Sequence, residues 1–178
     1  MDNGAELIVD SHTTHYYAIR HFQTEDLPAV LHIYKRAIYK IGSRFYNHAQ
    51  VDAWAAASLD LPAWEQRLHS GVVLVAMHGT HMAGFIRFEP TGKIDLLYVH
   101  PNFERQGIAK ALLHKIERLA HQERVPRLFT QASEAAKSFF IGQGYTLLGA
   151  QEVERQGVKL VNYRMEKALS EHRSAWHA

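Results

Sequence analysis

Hydrophobic positions along this chain follow two periods, one after the other. Residues 17–20 alternate briefly and predict a short strand. From residue 24 the spacing becomes helical, with Leu27, Val30, Leu31, Tyr34 and Ile38 on one face. Thr24 is the expected cap of this helix, Glu25 and Asp26 lie in its first turn, and Pro28 is tolerated near its start. Gly42 and Ser43 break it, and two shorter helical stretches follow over about 49–57 and 62–68. After Gly71 the period shortens. Residues 72–77 are nearly all apolar, 78–81 form a turn, 82–89 return, 90–92 turn again, and 93–100 make a further strand. Closely spaced strands with glycine turns predict antiparallel hairpins. A second long helix spans about 107–124, with Ile108, Leu112, Ile116 and Leu119 as its apolar stripe, and Pro126 follows its end. A strand over 128–131, a helix over 134–141 and a hairpin turning at Gln156-Gly157 complete the pattern. Residues 1–16 read as a flexible leader and 170–178 as a tail, which leaves 17–169 as one domain.

Composition narrows the class. A chain of 178 residues, 47% of them hydrophobic, suffices for one well-buried domain. Its net charge of +2 comes from interleaved acids and bases, unlike the basic stripe of a nucleic-acid-binding protein. The absence of cysteine removes disulfides, thiolate metal sites and a cysteine nucleophile together, and fits a reducing compartment. No apolar run reaches spanning length and no signal-peptide core is present, so the expectation is a cytoplasmic protein with no membrane partner. The 13 histidines raise the question of a metal. The pairs His12/His15 and His78/His81 lack a third ligand at zinc spacing, so surface histidines and no metal are expected.

The chemistry concentrates in residues 96–113, L-L-Y-V-H-P-N-F-E-R-Q-G-I-A-K-A-L-L. An apolar strand ends at a proline, a polar turn follows, and Gly107 opens the amphipathic helix. A helix start has backbone N–H groups without internal partners and the positive end of the macrodipole. Gly107 allows close approach to that backbone, while Arg105 and Lys110 add positive charge. The arrangement predicts a phosphate or pyrophosphate cradle, although no full P-loop or dinucleotide glycine run is present.

The same stretch resembles the acetyl-CoA motif of the GNAT superfamily of N-acetyltransferases. In that motif a strand ending V-x-P leads to [Gln/Arg]-x-x-Gly-x-[Gly/Ala] at a helix start. Val99 and Pro101 match the strand end, and Gly107 and Ala109 match the small positions. Glu104 departs from the family's Gln or Arg. A second family feature, A-x-x-[Phe]-[Tyr]-x-x-x-G-[Phe/Tyr], fits A-K-S-F-F-I-G-Q-G-Y over residues 136–145. The element order agrees as well, so the resemblance covers roughly 17–169.

The resemblance implies an α+β GNAT-like fold, with a mixed, mostly antiparallel sheet of about seven strands flanked by about four helices. It implies an acyltransferase, an acetyl-CoA-dependent N-acetyltransferase that passes the acetyl group directly from the thioester to an amine. The acceptor would be a small-molecule or peptide amine, and the protein a monomer or homodimer. Leu97, Tyr98 and Val99 would offer main-chain groups to the pantetheine, with the Val99 N–H polarising the thioester carbonyl. Arg105, Gln106, Gly107, Ile108, Ala109 and Lys110 would surround the pyrophosphate. Phe140 stands where the family has the tyrosine that protonates the leaving thiolate, so it would pack against the cofactor and leave the acid unassigned. Asp95 is the candidate general base, because a charge inside an apolar strand asks for a reason; Glu89 and His100 are weaker alternatives. Tyr34, Tyr39, Phe45, Tyr46, Trp54 and Trp64 make the acceptor region aromatic. Glu104 and Phe140 also motivate an alternative, a non-catalytic acetyl-CoA- or CoA-binding sensor or interaction module.

Overall fold

A strand that is apolar on both faces needs cover on both sides, and the central strands of this protein are of that kind. The computed structural model describes residues 6–10 and 13–169, with side chains from Tyr17 to Leu169. In chain order the strands are β1 (Glu6–Asp10), β2 (Thr13–His21), β3 (Val72–His78), β4 (His81–Phe88), β5 (Lys93–Val99), β6 (Arg127–Ala132), β7 (Thr146–Arg155) and β8 (Val158–Ala168). The helices are α1 (Leu27–Lys40), α2 (His48–Ala55), α3 (Leu61–His69), α4 (Ile108–Gln122) and α5 (Glu134–Gly142). Among the described residues the strands form one eight-stranded sheet, ordered β1-β2-β3-β4-β5-β6-β8-β7. The β5–β6 pair is parallel and the others are antiparallel.

Helices α1–α3 cover one face and α4–α5 the other. In β3, Val73 and Val75 join the first core with Val30, Ile33, Tyr34, Trp64 and Phe85. Leu74 and Ala76 point the opposite way, toward Ile108, Leu112, Ile116 and Phe140. The buried positions of α1 are Val30, Ile33, Tyr34, Ala37 and Ile38, the stripe expected of an amphipathic helix. Gly84 of β4 sits under the start of α4. A Cβ there would lie 2.8 Å from the Tyr98 carbonyl oxygen and 3.1 Å from Ile108 Cγ2, so only glycine lets the helix start come this close.

Three details differ from the sequence reading. Residues 6–10, assigned there to a flexible leader, form β1 and pair with β2, which itself begins at Thr13. The hydrophobic centre Leu7-Ile8-Val9 is too short for a period to register, yet long enough to add an edge strand. Five α-helices are described where the family resemblance implied about four; the two short stretches read at 49–57 and 62–68 are α2 and α3. Thr24 opens a 3-10 turn instead of capping α1, and the Asp26 carboxylate accepts the Gln23 N–H at 2.8 Å. The 170–178 tail and the side chains of His12 and His15 lie outside the described residues.

The site is shaped by what happens to β5. Arg87 pairs with Leu96 and Phe88 with Ile94, so Asp95 is an extra residue, a β-bulge. On its other side β5 pairs with β6 only at Lys93–Phe129 and Ile94–Thr130. Beyond Ile94 the two strands diverge.

Candidate active site

At the C-terminal end of β5 a short 3-10 turn, Pro101–Phe103, leads through Arg105 into α4. Arg105 and Gly107 both have positive φ, 64° and 78°, which for Arg105 is a conformation L-residues seldom adopt. Gly107 is the N-cap of α4 and no side chain caps the helix. Helical bonding begins with Ala111 N–H donating to the Gly107 carbonyl at 3.0 Å, so the N–H groups of Ile108, Ala109 and Lys110 have no acceptor within the helix. Arg105 and Lys110 are exposed beside them. The Gln106 side chain is occupied: its Oε1 accepts from the Tyr17 hydroxyl, and its Nε2 donates to the Asn102 carbonyl at 3.2 Å. Gln106 thus fixes the turn, and Arg105 and Lys110 are the side chains left to meet an anion. Glu104 is neutralised by the Arg44 guanidinium, which grips both carboxylate oxygens at 2.6 and 3.0 Å. That pairing removes the repulsion its sequence position suggests.

Along β5 the ladder specifies which main-chain groups are available. The His100 N–H donates to the Ala83 carbonyl at 2.8 Å, and Tyr98 lies opposite Phe85. Antiparallel alternation then directs the N–H and C=O of Tyr98 and Leu96 to β4, and those of Leu97 and Val99 into the gap left by β6. Tyr98 is therefore corrected: its main chain belongs to the β4 ladder, and its ring packs at 5.6 Å on Phe85 and 4.9 Å on Tyr34. Leu97 and Val99 keep free main-chain groups.

A cavity of about 190 Å³ lies where the strands diverge, lined by β5, by Gln131 of β6 and by Ser133 at the start of α5. Tyr34, Tyr46 and Trp54 line it as well. Of the other aromatic candidates, Trp64 is buried against Tyr34 at 4.8 Å, whereas Tyr39 and Phe45 are exposed. Sequence reasoning missed Arg67, Arg155 and Asn162, which complete the lining. None of them sits in a local pattern; α3 and the β7–β8 hairpin bring them in from far along the chain.

Asp95 lines the cavity but does not have the character of a base. Its Oδ2 accepts from Arg67 Nε at 2.7 Å and from Arg87 Nη1 at 2.6 Å, and Lys93 Nζ is 3.1 Å from Oδ1. Burial alone would raise its pKa, but the hydrogen bond and charge of Arg67, joined by Lys93, outweigh burial and hold the carboxyl well below the usual carboxylate range. Such a group is a poor proton acceptor. The charge within the apolar strand serves an ion-pair network centred on the buried Arg87. That guanidinium also donates to the Arg67 and Ser70 carbonyls at 2.6 and 3.1 Å and to Glu89 at 2.7 Å. Glu89 is thus engaged too. His100 stands at the other end of the strand, accepting from Asn102 N–H at 3.2 Å and stacked on His32. Burial, with His32 and Arg36, lowers its pKa. Phe140 is buried and packs edge-on against Tyr145 at 5.0 Å, so the second motif supplies core and no proton. Among the described residues no three His, Asp or Glu side chains converge as metal ligands.

Comparison with known proteins agrees with this geometry. The family model described as an acetyltransferase (GNAT) domain matches residues 43–167. The chain is 33% identical over 148 residues to an uncharacterised N-acetyltransferase, YafP, of Escherichia coli (strain K12), covering 83% of this chain and 93% of that one. It superposes with a TM-score of 0.83 and 30% identity on a GCN5-related N-acetyltransferase from Rhodopseudomonas palustris, over 85% of this chain and 95% of the other. At 16% identity it shares the fold of the PaiA N-acetyltransferase from Thermoplasma acidophilum, solved with coenzyme A, with a TM-score of 0.69 over 85% of this chain and 98% of that one.

Proposed function

The chain belongs to the GNAT family of acetyltransferases, and from that premise we propose that it moves the acetyl group of acetyl-CoA directly onto an amine. The observation that carries the reading is the open stretch of β5, with Leu97 and Val99 main-chain groups facing a gap that adjoins a cavity. The pyrophosphate is received by the uncapped start of α4, where the N–H groups of Ile108, Ala109 and Lys110 meet the charges of Arg105 and Lys110. The pantetheine amides continue the ladder along Leu97 and Val99. The Val99 N–H is the donor to the thioester carbonyl, where negative charge develops during attack. The amine enters from the cavity.

The neutral nitrogen attacks the carbonyl carbon, the C–N bond forms, and collapse of the oxyanion breaks the C–S bond. One proton leaves the ammonium before attack and a second leaves the nitrogen afterwards. Water takes both, because Asp95 is held in its ion pairs. CoA departs as thiolate, at modest cost given an ordinary thiol pKa of about 8.5, and takes its proton from solvent.

Calorimetry with CoA and thiol release in the presence of acetyl-CoA and amines test the proposal. CoA is expected to bind, and the rate to rise with pH along the acceptor's own ionisation, with no carboxylate inflexion. Absence of CoA binding overturns the reading. An inflexion in the carboxylate range that disappears in Asp95→Asn reinstates Asp95 as the base.

A further inference from the structure

The cavity beside the β5–β6 gap has an unusual charge balance. Arg67, Lys93 and Arg155 line it against a single carboxylate, Asp95. Arg67 and Lys93 are both spent on Asp95. Arg155, on the turn-proximal end of β7, has no carboxylate partner among the described residues; its guanidinium lies 6.0 Å from the Trp54 ring centre. Both guanidiniums act on the cavity tyrosines: burial raises the Tyr34 hydroxyl to about 12, and Arg155 and Arg67 pull against that rise. The same two arginines oppose the effect of burial on Tyr98.

Trp54, the indole on the cavity wall, already carries a cation, because the Arg155 guanidinium lies over its ring. An acceptor whose only charge is positive would enter beside three cations. Asn162 also borders the cavity, but its Oδ1 is closed off from solvent and so from a ligand in the open space. The cavity itself is small. Its volume, about 190 Å³, falls below the ~300–1,000 Å³ of ordinary ligand clefts, which favours a short acceptor.

We propose that the acceptor is a small amine bearing an anionic group, in the simplest case a carboxylate, which the Arg155 guanidinium receives. This rests on the acetyl-transfer reading above and specifies its second substrate. The anion pairs with Arg155, an exposed guanidinium that has no carboxylate partner among the described residues. The remaining positive field favours the neutral, attacking form of the amine over its ammonium, which is what a site without a free base requires.

The test uses the full chain with acetyl-CoA and matched acceptors, short ω-amino carboxylates and their carboxamides, compared at equal concentration of the neutral amine because a nearby carboxylate raises an amine's basicity. The acids are expected to exceed the amides in kcat/KM by about tenfold or more. Arg155→Met is expected to erase most of that preference, through KM, without changing CoA affinity. Amides used as well as acids, a preference that survives Arg155→Met, or no acid acetylated by a protein that binds CoA each overturns the inference. Failure to bind CoA at all removes the acetyl-transfer reading and this inference with it.

Discussion

The two ends of β5 treat charge in opposite ways. At the bulge, Asp95, Arg67, Arg87, Lys93 and Glu89 close on one another, and the two atoms at the centre of the network belong to side chains only 6% exposed. At the other end Arg105, Lys110 and the first N–H groups of α4 have no internal partner among the described residues, and the neighbouring carboxylate, Glu104, is paired with Arg44. The first end spends its charges on the fold, and the second keeps them for a ligand. A charged residue in a cleft is therefore not evidence of chemistry until its partners have been counted.

The sharpest way to break this comparison is to remove the centre of the closed network. Arg87→Met leaves Asp95 without one of its cations and takes the charged donor from the Ser70 carbonyl and hydroxyl. Losing one partner of a buried pair typically costs about 3–5 kcal/mol, so a large fall in Tm is expected in thermal unfolding. A Tm within a degree or two of the parent would show that the network is not structural. Acid titration sharpens the same point. The folded-state pKa of Asp95 is depressed, so its contribution is fully present above the unfolded value of about 3.9 and is lost as pH falls below it. Arg67→Met, which removes the cation that does most to lower the Asp95 pKa, should flatten this acid limb of the stability curve.

A smaller effect is expected at the open end, and on binding instead of folding. Gly107→Val places a β-branched side chain at a φ of 78° and puts methyl groups where phosphate would approach. CoA affinity measured by calorimetry is expected to fall by about tenfold or more, or ~1.4 kcal/mol. A folded Gly107→Val protein that binds CoA like the parent would place the pyrophosphate elsewhere.

The smallest change concerns the boundary between the two regimes. Because Arg44 already neutralises Glu104, and exposed pairs contribute about 0–1 kcal/mol, Glu104→Gln should alter CoA affinity by no more than a few-fold. A large tightening would mean that Glu104 faces the phosphate and not Arg44.

Much of this architecture was legible in the chain. The stripe of α1, the paired strands β3–β5 and the Gln156-Gly157 turn all depend on local periods, and a period is a local property. The helix start at Gly107 was legible for the same reason, since strand, turn and helix are contiguous. The ion pairs of Asp95 were not legible, because Arg67 and Arg87 are brought to it by folding from α3 and β4. Arg155 and Asn162 gave no signal, because a cationic or amide side chain near a hairpin turn is ordinary until the cavity places it. Strand β1 escaped for a different reason: three apolar residues fall short of a countable alternation.

The extra residue in β5 also shifts the side-chain count along the strand. Ile94 and Leu96 are two positions apart, which in a regular strand means a shared face, yet Ile94 enters the core under α4 and Leu96 the core under α1. Every side chain downstream of Asp95 is therefore counted from a shifted origin. Removing Asp95 would make Ile94 and Leu96 neighbours opposite Phe88 and Arg87, on alternate faces as they already are, and Leu97, Tyr98 and Val99 would keep their places opposite Ile86, Phe85 and Gly84. The main-chain groups a ligand meets would stay where they are. What the extra residue adds is a carboxylate at the mouth of the gap, and with it the anchor for Arg67, Arg87 and Lys93.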